Sequence, residues 1–371
     1  MPKLPEKIRR TLEKVVKQMR TKENIHGIGL FGSWSRGDAS QSSDVDLLIF
    51  DNGNFGHEYV ERVEIAGLLI DLDCVPKQWI HGPIPPEIDQ KIYEMQILYD
   101  RDWSLANTKL LMAKSYGSPE RVDIRTEAHI IDSDIYLSRA TSAFSRNDFP
   151  SAHLFAIVAL ENILKVLAEV NLKPISNSNL VKTLEISASK LQMRELFNDY
   201  LKIVDLDKVH TEDAEDKLKL FKIIWDEINS AVSDNHQTLD SAHFKVKTAL
   251  KYYLNSAFLQ GVIMRASDLF DSGKLIEGAH YLKGILLPIL ENYVWLKTST
   301  DRLVIDYTTL LRSFESIEAN NPKNYRNVIK FLNLTEIDKT AASKTIEKTR
   351  EIVLKIRRQR KVLIKNNLCK N

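Results

Sequence analysis

The chain has 371 residues, 43% of them hydrophobic and 27% charged, with a formal net charge of +2; this is the composition of a globular chain of two or three domains, not of a disordered or collagen-like one. No run of eighteen apolar residues occurs, the first residues lack a signal-peptide core, and Cys74 and Cys369 are too few for a disulfide framework or a cysteine metal cluster, so a cytoplasmic protein without a membrane span is expected. Residues 1–103 carry 13 Lys/Arg against 17 Asp/Glu, whereas residues 344–371 carry 10 against 2.

Leu4, Ile8, Leu12, Val15 and Met19 recur at helical spacing and predict an N-terminal amphipathic helix. "IHGIGLF" follows as a short strand, and "SWSRG" reads as a first helical turn with Ser33 as its N-cap. "DVDLLIFD" is strand-like and is turned off by Asp51-Asn52-Gly53. "EYVERVEIAGLLIDLDCVP" predicts a hairpin around Ala66-Gly67, with Pro76 closing its second strand. "PPEIDQKIYEM" opens on prolines, as helices often do, and "QILYD" is a last short strand.

Beyond about residue 104, strand signals nearly vanish. "SAHLFAIVALENILKVLAEVN" is a strongly apolar helix that stops at Asn171 before Pro174. "SNSNLVKTL" has capping chemistry, "YLKGILLPILENYVWLK" predicts a helix kinked at Pro288, and a polar break near residue 235 marks a boundary. The fold class expected is α+β: a small mixed-sheet domain at 1–103, then a large all-α bundle divided into 104–235 and 236–371. "SRNDFPSAHLF" and "SGKLIEGAHYL" share an Ala-His pair at an offset of 127 residues, too few matches to argue a duplication.

The chemistry concentrates in "GSWSRGDASQSSDVDLLI", residues 32–49. In a strand, residues i and i+2 share a face, so Asp44 and Asp46 project together while Val45 and Leu47 turn to the core. Two same-face carboxylates repel each other unless a cation joins them, and hard cations such as Mg²⁺ prefer oxygen ligands. Gly32 allows close approach to a ligand, and a helix N-terminus with the Ser33 hydroxyl and Arg36 offers donors to a phosphate. A third carboxylate is available in "IDLDCVP", where Asp71 and Asp73 share a face.

Gly-Ser followed after ten residues by Asp-x-Asp, and then by an acidic strand ending in proline, resembles the DNA polymerase beta-type nucleotidyltransferase superfamily over residues 1–103. The nearer resemblance is to its small prokaryotic branch, the minimal and kanamycin-type nucleotidyltransferases, with a C-terminal helical part that is HEPN-like or antibiotic-transferase-like. The resemblance implies that Gly32, Ser33, Arg36 and Ser43 bind the nucleotide. It implies that Asp44, Asp46 and Asp71 ligate two Mg²⁺, with Asp73 as the alternative third ligand. It further implies transfer of a nucleoside monophosphate from an NTP, ATP by preference, to a hydroxyl, with release of pyrophosphate.

A small hydroxylated molecule is the first expectation for the acceptor; adenylylation of a protein in a toxin–antitoxin manner and an RNA-directed reaction are the alternatives, and a homodimer is open to the chain. The tail "KIRRQRKVLIKNNLCK" has the charge of a nucleic-acid contact, but Ile352, Val353, Ile356, Leu363 and Ile364 interleave with it and base-stacking aromatics are absent. A packed helix with a solvated basic face is the favoured reading, and nucleic acid is not the favoured partner. Arg146 and His153 have the spacing of a helical ribonuclease motif, yet Pro150 lies between them, so both His153 and His280 are expected to pack at helix starts.

Overall fold

The computed structural model describes residues 4–80, 82–207, 209–234, 236–300 and 307–368. Its elements in chain order are α1 (Glu6–Met19), β1 (Ile25–Phe31), α2 (Gly32–Arg36), β2 (Val45–Asp51), β3 (Tyr59–Ile65), β4 (Leu68–Pro76), α3 (Asp89–Glu94), β5 (Gln96–Asp100) and α4 (Ser104–Ser115). Among the described residues only helices follow: α5 (Pro119–Ser145), α6 (Phe149–Val170), α7 (Leu180–Lys190), α8 (Arg194–Ile203), α9 (Thr211–Ser233), α10 (His236–Ser241), α11 (Phe244–Tyr253), α12 (Ser256–Asp271), α13 (Leu275–Thr300), α14 (Leu310–Ile317), α15 (Pro322–Phe331) and α16 (Lys339–Leu368). This is the α+β class, a five-stranded sheet followed by helices. The chain forms two compact units: residues 1–118 with 243–265, and residues 119–242 with 266–371. The expected boundary residue 235 and Cys369 lie outside the described residues.

In the first unit the sheet order is β3-β4-β2-β1-β5. Only the β2–β4 pair is parallel; β1–β2, β1–β5 and β3–β4 are antiparallel. Strand alternation sends Val45, Leu47 and Ile49 to one face, where they meet Ile8, Leu12, Val15 and Met19 of α1. Leu48, Phe50 and Val75 point the other way and are covered by Ile92, Leu105 and Met112 of α3 and α4. The central strands are therefore covered on both faces, and Asp46, Asp71 and Arg62 are polar positions carried by β2, β4 and β3. The hairpin turns at Ala66 and Gly67, both at positive φ, and β3 pairs with β4 from Ile65 opposite Leu68 onward.

The second unit is helical. Its core joins Leu160, Ile163, Leu164 and Leu167 of α6 to residues of α5, α7, α8 and α16. α6 is long and apolar enough to cross a membrane by composition, but 78% of its most apolar window is buried inside the protein; its hydrophobicity serves a core. In α16, Ile352, Val353, Ile356 and Ile364 are buried while Lys344, Lys355, Arg357, Arg358, Lys361 and Lys365 of the same helix are exposed and Arg360 is buried, as expected of a packed helix with a basic outer face. α5 and α6 are separated by a turn with Asn147 at φ 60°, and Asp148 caps α6 by accepting the Ser151 N–H at 3.2 Å. Arg146 and His153 therefore do not share one helix. His153 Nδ1 lies 3.0 Å from the Thr345 hydroxyl, and His280 Nε2 lies 3.3 Å from Glu161. Two local expectations change. Ser33 is not an N-cap but lies inside α2, which Phe31 precedes, because the Gly32 φ of +72° already turns the chain. No side-chain cap precedes α7; a 3-10 turn at Asn177–Asn179 leads into it instead.

Candidate active site

The register of the sheet assembles the acidic residues. Phe31 at the end of β1 pairs with Asp46 in β2, Asp46 pairs with Asp71 in β4, and Asp71 pairs with Arg62 in β3. One line across four strands thus runs from Phe31, the neighbour of Gly32, through two aspartates, to an arginine. Asp44 immediately precedes β2. Ligand oxygens of Asp44, Asp46 and Asp71 lie within 4.8 Å of one another. Asp73 is not in that group: it forms an ion pair with Lys91 at 2.5 Å, and Lys91 also binds Glu58.

Gly32 meets the cluster directly. Its φ is +72°, and a Cβ at this position would fall 2.1 Å from Asp46 Oδ2. Any other residue would carry both left-handed backbone strain and a clash with the carboxylate. Two of the donors expected for phosphate, the Gly32 N–H and Arg36, have protein partners here. The Gly32 N–H donates to Glu94 Oε1 at 2.9 Å, and Arg36 donates to both Glu94 oxygens at 2.9 Å. The Ser43 hydroxyl accepts from the Ser40 N–H at 2.9 Å. The Ser33 hydroxyl has no hydrogen-bond partner among the described residues.

Positive charge approaches the carboxylates from two sides. Arg62 donates from Nε to Asp71 Oδ1 at 2.5 Å, from Nη2 to Asp71 Oδ2 at 2.6 Å, and also to Asp44. Arg265 of α12 lies 3.7 Å from Asp44 and donates to the Ser40 hydroxyl at 3.2 Å. The Tyr252 hydroxyl donates to Asp71 Oδ2 at 2.9 Å. Among the described residues, Asp46 is the member of the triad with neither an ion pair nor a hydrogen bond. Burial, reinforced by Asp44 and Asp71, holds its carboxyl well above the ordinary carboxylate range. Burial also raises Asp71, against the pull of Arg62, and pushes Asp73 up to about 7 against the pull of Lys91.

An all-oxygen donor set with one uncompensated carboxylate fits a hard divalent cation. Such an ion would offset the burial and the repulsion that together keep Asp46 raised, and it would compete with Arg62 for Asp44 and Asp71.

Arg62, Glu94, Tyr252 and Arg265 are not among the residues expected from the sequence. A signal existed for Arg62, since a two-residue turn at Ala66-Gly67 sets residue 62 opposite residue 71. None existed for Tyr252 or Arg265, which are 181 and 225 residues away along the chain from Asp71 and Ser40.

The family model described as polymerase beta, nucleotidyltransferase matches residues 13–102. Two proteins of Methanocaldococcus jannaschii, each named "Putative protein adenylyltransferase", are similar to this chain. One is 37% identical over 83 residues, which is 20% of this chain and 81% of that protein. The other is 28% identical over 87 residues, again 20% and 81%. A solved structure of a nucleotidyltransferase-like protein from Exiguobacterium sibiricum 255-15 aligns over 87% of this chain and 90% of that one, at 11% identity and a TM-score of 0.31.

Proposed function

Because this chain belongs to the polymerase beta nucleotidyltransferase family, we propose that it transfers AMP from ATP to a hydroxyl group on a protein and releases pyrophosphate. The observation that carries this reading is the convergence of Asp44, Asp46 and Asp71 within 4.8 Å, beside a glycine that tolerates no side chain. The names of the two archaeal relatives favour a protein acceptor over a small molecule.

In this reading Asp44, Asp46 and Asp71 hold magnesium. When bound, the metal supplies charge neutralisation of the triphosphate and activation of the acceptor hydroxyl. Gly32 leaves the space in which the triphosphate meets the carboxylates. The Ser33 hydroxyl is free to donate to it. Arg36 and Ser43 complete the nucleotide contacts, Arg36 by exchanging part of its pairing with Glu94. Arg62 would yield Asp44 to a bound cation. Asp71, next to the acceptor, takes the hydroxyl proton. Lys91 keeps Asp73 out of the cluster, so its role is to hold the strand rather than to bind metal.

The test is calorimetry with non-hydrolysable analogues of each NTP, with and without Mg²⁺, on the full chain and on the Asp44→Ala/Asp46→Ala double variant. Magnesium-dependent binding, strongest for the ATP analogue and lost in the variant, is the expected result. Absence of binding by every analogue, or equal binding by the variant, would overturn the reading.

A further inference from the structure

The proposed chemistry needs a hydroxyl beside Asp71, and the protein already holds one there. Tyr252 stands at the end of α11, outside the matched residues 13–102. Its hydroxyl donates to Asp71 Oδ2 at 2.9 Å. The side chain is fixed on several sides. Phe258 and Tyr253 meet its ring edge to face at 4.7 and 5.1 Å, and the Arg62 guanidinium lies 5.6 Å from the ring centroid. The connection from α11 to α12 is tied to the sheet as well, because Asn255 Nδ2 donates to the Arg62 carbonyl at 3.2 Å and its Oδ1 accepts the Ala257 N–H at 2.8 Å. Gly261 of α12 lies so close to Arg62 that a Cβ there would sit 2.4 Å from Nη1. These are ties of position: a phenol is held within hydrogen-bond reach of the carboxylate that the proposed reaction uses as proton acceptor.

We propose that Tyr252 is itself a nucleotidyl acceptor, so that the protein adenylylates its own chain in cis at this residue. The proposal rests on the reading above. In the step, Tyr252 Oη attacks the α-phosphorus of ATP and forms an Oη–P bond. The bond from that phosphorus to the oxygen bridging toward the β-phosphate breaks, and pyrophosphate leaves with the electron pair. The phenolic proton passes to Asp71 Oδ2 along the existing hydrogen bond. No oxidant or further reactant is required. Because the tyrosine is tied in place by its neighbours, the reaction is expected to stop at one AMP per chain.

The experiment incubates the full chain with Mg²⁺ and ATP and reads intact mass and peptide mass, while binding of a non-hydrolysable ATP analogue is measured by calorimetry on the same samples. The expected result is one adenylyl group per chain on the peptide containing Tyr252. It is absent in Tyr252→Phe and retained in Tyr253→Phe, and its rate constant is independent of protein concentration. Calorimetry on Tyr252→Phe reads the site separately: magnesium-dependent binding with no label assigns the loss to the acceptor, and the peptide assignment in the parent chain stands without the variant. Label on another residue, undiminished label in Tyr252→Phe, or a rate that rises with protein concentration would overturn the proposal. Magnesium-dependent analogue binding without any label would overturn it too, while leaving a separate protein as acceptor. Absence of analogue binding would sink the reading on which the proposal stands.

Discussion

The two units treat buried charge in opposite ways. In the helical unit the buried acids are each matched by donors of their own: Glu169 accepts from Arg125 at 2.7 Å, Glu291 pairs with Arg139 at 2.8 Å, Glu161 lies 3.3 Å from His280, and Asp148 and Glu318 accept from neutral groups, the Ser151 N–H at 3.2 Å and the Tyr293 hydroxyl at 2.7 Å. In the sheet unit three carboxylates share Arg62 and Arg265, and Asp46 has no partner of its own among the described residues. Paired charges inside a core cost little beyond their desolvation and serve structure. A cluster left short of positive charge carries a standing penalty, which a bound cation would remove. The contrast teaches that burial of charge is not itself the mark of a site; the imbalance is.

The strongest way to break this comparison is Asp46→Asn. Transfer activity is expected to fall on the order of 10³-fold, while thermal stability at neutral pH holds or rises. The sign follows from the raised carboxyl of Asp46: its protonated form is favoured in the folded state, so ionisation costs stability as pH rises, and the neutral amide escapes that cost. A drop in melting temperature alongside the loss of activity would make Asp46 a structural residue like those of the helical unit.

Leu160→Ala probes the opposite case. Leu160 is fully buried in α6, so denaturant unfolding should register a loss of about 2–5 kcal/mol. Magnesium-dependent affinity for the ATP analogue, measured well below the melting range, should change by less than about twofold. Gly32→Ala comes next. Its Cβ would meet Asp46 Oδ2 at a left-handed backbone position, at a cost of roughly 1–3 kcal/mol; analogue affinity should fall with it, and a variant that binds normally would remove Gly32 from the site.

The smallest effect is expected from pH in the helical unit. Burial, aided by Lys283, pushes His153 down to about 4. Its folded-state value thus lies below the unfolded one near 6.5, so the unfolded chain binds the extra proton first and stability falls as pH drops from about 6.5 toward 4. The loss should be roughly 2 kcal/mol or less, since the imidazole is half-buried. His153→Gln should flatten that part of a stability–pH curve, and an unchanged slope would assign the acid limb to other groups.

Local chemistry was enough to read a good part of this protein. The helical spacing of Ile8, Leu12, Val15 and Met19, the strand alternation around Leu47, the turn at Ala66-Gly67 and the apolar run of α6 each depend on neighbours a few residues away, and each element is present. The Gly-Ser and Asp-x-Asp spacing identified the family for the same reason, because a strand, a turn and a second strand carry it within twenty residues. Which carboxylate joins Asp44 and Asp46 was a matter of register across the parallel β2–β4 pair. Sequence spacing could not choose between Asp71 and Asp73, and the pairing of Asp46 with Asp71 leaves Asp73 to Lys91. The return of residues 243–265 to the sheet unit was likewise invisible. Tyr252 and Arg265 sit in ordinary helices, and nothing in their surroundings along the chain marks them. They meet Asp71 and Asp44 because α11 packs on β3, a contact made by folding and carried by no local pattern.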